Sequence, residues 1–434
     1  MKLRKLFGVG VIFCFLLTLN VRLLRHSKKS NPPLSAKSAL LELDPSIGVC
    51  DMYDLPLIRM WKRQARDVCE KNVSSFVCNS IVIPALPKPT RPHAYCMGKN
   101  VVVDFSLLLP RACPLFRPNY RCFDTTNSYY TFQEGSIRLS CNNLMSKNSL
   151  LSLVSQDNMK DEMNGLKFNA GHEASLAEDG QTLFVVREVG ESANLFHAMS
   201  DFFSAFVSLL IYDLDPDLVQ VVILDEHPKS KLDDWWDLVM SRKRKTRHAS
   251  EMLGQKVNFS QAVFPANGYG TLFLADLTSP SPCSQKTQLL SRFVDFAMSR
   301  SGFVRNARLC PQDNANVKVL LVVRRLGQGR TSMQRQFKNY KEIHESLSAV
   351  KGLNVTLVDF AELSFREQMQ SVVENDILVS LHGASLTHLL WLPSHGGVLE
   401  IWPSKESYWR SYENMCNWLG LKYLPMYLKV RERY

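Results

Sequence analysis

Three groups of polar residues in this 434-residue chain have types and spacings suited to chemistry on an anionic substrate. His382-Gly383-Ala384 follows an apolar run from Asp376 to Leu381 and precedes a helix-like segment. That order reads as a buried strand, a tight turn and a helix N-terminus, the arrangement with which α/β proteins bind phosphate. Gly383 lets backbone approach a ligand, and His382 would leave the strand toward the ligand crevice. Taken alone, a His-Gly pair more simply closes a strand turn. Arg325 and Arg330 stand five residues apart across a loop containing Gly327 and Gly329, so both guanidinium groups can reach one pyrophosphate. Two arginines by themselves read equally well as a solvated basic loop. No third glycine and no Gly-Lys-Ser/Thr follows, so the loop is neither a dinucleotide fingerprint nor a P-loop. Glu400, near a strand end, could accept hydrogen bonds from ribose hydroxyls or simply be solvated.

The third group is Asn194, His197 and Asp201, spaced i, i+3 and i+7 and therefore on one helix face. Phe196, Phe203, Val207 and Leu210 fall on another, apolar stripe, which leaves the polar face for a cleft. The alternative is a buried His-Asp pair that only anchors the helix. Asp213-Leu214-Asp215 has the Asp-x-Asp form that holds Mn²⁺ or Mg²⁺ against a diphosphate in metal-dependent transferases. It follows a helix end and precedes Pro216, which favours a solvated loop. Gly383-Ala384-Ser385-Leu386-Thr387 lacks the last glycine of a serine-hydrolase elbow.

These groups need a scaffold, and the apolar pattern supplies one. Strands are expected at 317–323, 355–360, up to 381 and at 398–401, and helices at 341–350, 365–373, from Gly383 to Leu392 and at 408–419. Alternation at this spacing calls for a parallel sheet with right-handed crossovers, so residues 310–434 read as one Rossmann-like domain. Upstream, 182–186 and 219–224 read as strands flanking a long helix from Asn194 to Tyr212.

Arg325 with Arg330, Asn339 with Glu342, His382-Gly383-Ala384 with Leu386-Thr387-His388, Leu392-Pro393 before Glu400, and Asn194-Leu195-Phe196-His197-Ala198-Met199-Ser200-Asp201 together resemble glycosyltransferase family 61. Within it the likeness is to EGF-domain-specific O-linked N-acetylglucosamine transferases and plant β-1,2-xylosyltransferases, over roughly residues 180 to 425. The resemblance implies a GT-B architecture, two facing Rossmann-like domains of which 180–309 takes the acceptor and 310–434 the nucleotide sugar. It also implies inverting transfer of N-acetylglucosamine or xylose from a UDP-sugar to a protein or glycan. Donor binding then falls to Arg325, Arg330, His382, Gly383, Ala384 and Glu400. Asp201 becomes the base, His197 its orienting partner and Asn194 a positioning residue. No metal or other cofactor is required, because arginine and backbone donors meet the leaving diphosphate. Ser385 stands where the family usually has glycine, which loosens any inference about the sugar. A non-catalytic lumenal binder and a metal-dependent Asp-x-Asp transferase are the alternatives.

Composition fits a secretory enzyme. Hydrophobic residues make up 45% of the chain, enough for two cores and a smaller module. The formal charge is +11, yet seven positives lie in the first 29 residues and the rest carries only +4, too little to argue for nucleic acid. The basic run from Arg242 to Lys245 reads as a solvated loop. Residues 1–24 read as a cytoplasmic tip and signal-anchor and 25–49 as a stem, with Leu6 to Leu19 as the apolar centre. Ten cysteines besides Cys14, seven of them between residues 50 and 141, suggest an oxidised lumenal module over 50–179. Sequons at Asn72, Asn258 and Asn354 agree with that. The expected location is the Golgi membrane, type II, with the ER lumen second.

Overall fold

The computed structural model describes residues 49–70, 73–83, 91–111, 129–154, 158–187, 194–227, 229–266, 281, 283–304, 316–325, 336–402 and 409–428. The anchor at 1–24, nearly all of the stem, Asn72, Arg330, Cys113, Cys122 and Cys310 lie outside these residues. Among the described residues no helix is long and apolar enough to cross a membrane. The chain divides into two compact units: residues 50–304 with 409–418, and residues 305–408 with 419–434 and the first 49.

In the larger unit, Ala65–Glu70 (β1), Ser75–Ile83 (β2) and Arg91–Asp104 (β3) run antiparallel, and Cys78 faces Cys96 across β2 and β3 in register. That pair is disulfide-bonded, as are Cys69–Cys141 and Cys50–Cys283. Leu108–Arg111 (β4) and Tyr129–Phe132 (β5) form a separate hairpin-like pair. The short Ile137–Arg138 (β6), Asn142–Asn143 (β7) and Leu166–Lys167 (β8) add to the main sheet. Leu176–Val185 (β9), Val219–Ile223 (β10), Arg247–His248 (β11) and Lys256–Phe264 (β12) complete it, in the order β11-β10-β9-β12-β3-β2-β1-β7. Parallel pairing from β11 to β12 meets antiparallel pairing at β12–β3. Every residue of β10 is buried, as an interior parallel strand requires. The stretches 50–179 and 180–309, read separately from the sequence, therefore contribute strands to one sheet within one unit.

The helix Leu195–Ile211 lies between the strands β9 and β10 in sequence, within a residue of the expected bounds. Its polar face is not open along its length: all but His197, Ala198 and Leu210 are buried. Phe202 meets Trp235 and Trp236 at ring distances of 4.2 Å, and Phe203 and Phe206 meet Phe293 at 5.3 and 5.6 Å. A helix with aromatics on several faces is buried on several faces. The basic run is also less free than its charge suggested, since Arg244 pairs with Glu178 at 2.9 Å, as does Arg247 just beyond the run at 2.7 Å.

The smaller unit holds five parallel strands: Val317–Val322 (β13), Leu353–Val358 (β14), Ile377–Leu381 (β15), Gly397–Trp402 (β16) and Lys422–Tyr427 (β17). Their order is β14-β13-β15-β16-β17. The interior strands are mostly apolar, interrupted by Lys318, Ser380 and Glu400, with Leu320, Leu321, Leu378, Val398 and Leu399 in the core. β17 was not foreseen, because Pro425 lacks a ladder donor; it is tolerated here at a sheet edge, opposite Glu400. The helix Ser411–Leu419 follows β16, and residues 409–418 belong to the larger unit. Tyr412 contacts Phe196 there at 5.7 Å, and Trp418 stacks on Tyr53 at 5.2 Å.

Candidate functional site

The strand order of the smaller unit reverses direction between β13 and β15. Crevices that bind ligands in open α/β sheets form outside the carboxyl ends of strands at such a switch point. Arg325 follows β13 and His382-Gly383-Ala384 follows β15, so the two motifs leave neighbouring strands at the same sheet edge. The structure thus brings these sequence-selected residues together, and Glu400 joins them from β16, next to β15.

Gly383 has φ 152° and ψ 177°, a region that residues with a Cβ rarely enter. This conformation turns the chain sharply into Ala384–Trp391, the helix expected here, which is of the 3₁₀ type. Leu386 N–H donates to the Gly383 carbonyl at 2.9 Å, leaving the N–H groups of Ala384 and Ser385 ahead of the helix's first bond. The Ser385 hydroxyl lies 3.0 Å from that of Ser380, so this side chain is tied back to the strand.

Around His382 the sheet builds a fixed cradle. Its backbone N–H donates to the Ile401 carbonyl at 2.9 Å, and its ring stacks on Trp402 at 3.8 Å and 22°. Nδ1 lies 2.5 Å from Glu400 Oε1, while the Tyr423 hydroxyl donates to Glu400 Oε2 at 2.6 Å. Glu400 is wholly buried, and both its oxygens already have protein partners. A carboxylate so engaged does not reach a ribose without surrendering one of them, which differs from its expected role as a ribose ligand. Strand periodicity marked Glu400 but gave no sign that His382 and Tyr423 would converge on it from the strands on either side.

Arg325 is held from three directions. Its backbone N–H donates to Asp359 Oδ2 at 2.7 Å, Nη1 lies 3.1 Å from Glu362, and the guanidinium sits 5.6 Å from the Tyr340 ring centroid. The Glu362 pair is about two-fifths exposed or less on either side, so it is partly screened and open to exchange with a stronger anion. His388 proves to be a core residue: Nε2 meets Gln368 Oε1 at 3.0 Å between Phe360 and Phe365, and burial lowers its pKa to about 3.

The remaining candidates lie in the larger unit. Asn194 caps the helix Leu195–Ile211, its Oδ1 accepting from Phe196 N–H at 3.0 Å, a structural duty that accounts for Asn at this position. His197 is half-buried, whereas Asp201 is 5% exposed and lines a narrow pocket with Arg187, Ala198, Phe202, Leu232, Asp233 and Trp236. Arg187, which sequence reasoning passed over, is the centre of this pocket's wall. Its Nε and Nη2 reach Asp225 at 3.0 and 2.7 Å, Nη1 reaches both oxygens of Asp233 at 3.0 and 2.9 Å, and Nη2 also donates to the His227 carbonyl at 2.7 Å. Burial opposes the charge, and Asp225 and Asp233 overcome it, raising the pKa above its ordinary value. The one available signal was position: Arg187 and Asp225 each stand two residues beyond a strand, β9 and β10.

Asp213 and Asp215 face other tasks. Asp213 pairs with Lys62 at 2.7 Å, and Asp215 Oδ1 accepts from Asp217 N–H at 2.9 Å. Among the described residues no group of three or more His, Cys, Asp or Glu is arranged to hold a metal. Of the sequons, Asn354 is exposed on the edge strand β14, whereas Asn258 lies in β12, paired on both sides, with Oδ1 buried.

Residues 195–399 match the family Glycosyltransferase 61. A β-1,2-xylosyltransferase of Oryza sativa subsp. japonica is 30% identical over 262 residues, 54% of this chain and 48% of that protein. An EGF domain-specific O-linked N-acetylglucosamine transferase of Pan troglodytes is 25% identical over 251 residues, 56% of this chain and 44% of that protein. The corresponding protein of Bos taurus is 24% identical over 375 residues, 82% of this chain and 62% of that protein. The chain thus spans about half the length of most of the curated relatives it matches.

Proposed function

We propose that this chain, which carries the glycosyltransferase 61 domain, transfers a sugar from a UDP-sugar to a protein or glycan acceptor with inversion. The observation that carries the reading is the switch-point edge of the five-stranded parallel sheet, where Arg325 and the His382-Gly383-Ala384 turn leave adjacent strands within the family-matched region. The architecture assigned is GT-B, with the smaller unit binding the donor and the larger one the acceptor. On that reading the acceptor side is residues 50–304 with 409–418 and the donor side 305–408 with 419–434, in place of the expected 180–309 and 310–434.

In the reaction the acceptor oxygen forms a bond to the anomeric carbon while the bond from that carbon to the diphosphate oxygen breaks. The electron pair leaves with UDP. Its charge is met by Arg325, by Arg330 and by backbone N–H groups after Gly383, without an essential metal. The acceptor's proton passes to Asp201, with His197 the orienting partner. Asp201 lines the pocket beside Arg187, which supports its assignment, and its burial means that the acceptor hydroxyl must enter that pocket. The proposed setting is the Golgi lumen, type II, with the ER lumen second; the exposed Asn354 sequon agrees with either.

A screen of UDP-sugars with the full-length protein, with and without EDTA, tests the reading. Turnover of UDP-N-acetylglucosamine or UDP-xylose that survives EDTA is expected. Donor binding without transfer or hydrolysis would reduce the protein to a lumenal binder, and loss restored by Mn²⁺ would favour the Asp-x-Asp mechanism.

A further inference from the structure

Tyr423 comes from a strand that no sequence signal announced, yet its hydroxyl donates to the oxygen of Glu400 that His382 does not use. A hydrogen bond between imidazole Nδ1 and a carboxyl oxygen can hold its proton on either side. With the proton on nitrogen, Glu400 is a carboxylate accepting two hydrogen bonds. With the proton on oxygen, Nδ1 becomes the acceptor and Nε2 must carry the N–H when the ring is neutral. Donation to a carboxylate favours its charged form, so the Tyr423 hydroxyl biases the pair toward the first arrangement. The burial of Glu400 makes that bias count, because water does not compete for either oxygen. Stacking on Trp402 and the backbone bond to Ile401 remove the ring's freedom to escape by rotation.

We propose that Tyr423 and Glu400 are positioning residues that keep a proton on His382 Nδ1, so that Nε2 is the ring atom through which the proton on the donor side is gained and given. Resting on the glycosyltransferase reading, the charged ring donates Nε2–H to the diphosphate as the bond to the anomeric carbon breaks, while Glu400 balances the imidazolium from behind. The carboxylate here is an orienting group, in the way a buried Asp orients the histidine of a hydrolytic triad. It makes no contact of its own with the ribose.

The test is ¹⁵N NMR of the full-length protein labelled at histidine, above the pH of the imidazole titration, with His382 assigned by its loss in His382→Gln. In the wild type Nδ1 is expected to carry the proton and Nε2 the lone pair. Tyr423→Phe removes the donor that favours the charged carboxylate, so the pair should take up one proton from solvent, held on Glu400, with the neutral ring as its Nε2–H tautomer and the two ¹⁵N signatures reversed. Glu400→Gln gives a second route: with the Tyr423 hydroxyl donating to the amide oxygen, the amide NH₂ faces Nδ1 and forces the Nε2–H tautomer. Both variants should retain UDP binding near wild type and lose kcat about tenfold or more. An unchanged ¹⁵N pattern in both, or a wild type that already carries its proton on Nε2, overturns the proposal. If no UDP-sugar is turned over by the wild type, the functional reading falls, while the tautomer still stands or fails on the spectra.

Discussion

Replacing Arg187 by methionine tests the best-connected polar group of the larger unit. The Arg187 side chain is 4% exposed, and all five N–H groups of its guanidinium have acceptors on Asp225, Asp233 and the His227 carbonyl. Methionine fills most of the space but leaves two carboxylates, 1% and 7% exposed, without their countercharge. Breaking a buried ion pair from one side costs about 3–5 kcal/mol. Two stranded carboxylates would double this if they stayed ionised and bare. Asp225 keeps backbone donors from Arg187 and His227 at 2.7 and 3.0 Å, Asp233 keeps that of Ser230 at 2.7 Å, and either can take up a proton. The net loss is therefore set at about 4 kcal/mol, a large part of the roughly 5–15 kcal/mol that stabilises a typical domain. Urea unfolding followed by tryptophan fluorescence reads it, since Trp236 lines the same pocket. Adding Asp225→Asn and Asp233→Asn to Arg187→Met should recover part of the loss by removing the stranded charge. A cost under about 1 kcal/mol for Arg187→Met, the range of exposed pairs, would refute the view that this network braces the pocket around Asp201.

Glu162 is wholly buried, and desolvation, with Asp161 beside it, raises its pKa well above the usual 4.5. Its stabilising contribution is complete below that value and is lost as pH rises toward the folded pKa, so Glu162→Gln should raise Tm at neutral pH and have less effect near pH 4; thermal melts against pH read this, and a gain independent of pH would contradict it. Arg325→Ala should weaken UDP binding about tenfold by calorimetry, below the full value of a charge-assisted contact because the side chain must first release Glu362; unchanged affinity would misplace the diphosphate. Asp201→Asn should lower kcat by orders of magnitude with UDP affinity near wild type, and a normal rate would pass the base to His197. Glycosidase treatment of protein from a glycosylating host should shift its gel mobility, and Asn354→Gln should remove part of that shift while Asn258→Gln should not, since Asn258 is paired on both sides within β12.

What the sequence determined is local and periodic. The parallel strands β13, β14, β15 and β16 stand out because burial on both faces, or on one at the edge, makes them short apolar runs. The helices between them show their own repeat, and Ser364 with Glu367 forms a capping box. Asn194 and Tyr212 likewise bracket a helix whose ends carry their own signals. His382-Gly383 announced a strand end because a turn with φ near 152° needs glycine. Tertiary structure alone decided the rest. A single sequence does not say that β12 pairs with β3 in one direction and β9 in the other, because register over so long a separation leaves no local trace. Nor does it say that helix Leu195–Ile211 is enclosed on nearly every side, which turns Asp201 from a residue on an open face into one lining a narrow pocket. Glu400 shows the division most plainly. Its place on a strand was legible, but whether that carboxylate meets ribose, water, or His382 and Tyr423 depends on what the two neighbouring strands bring beside it, and that is fixed only when the sheet closes.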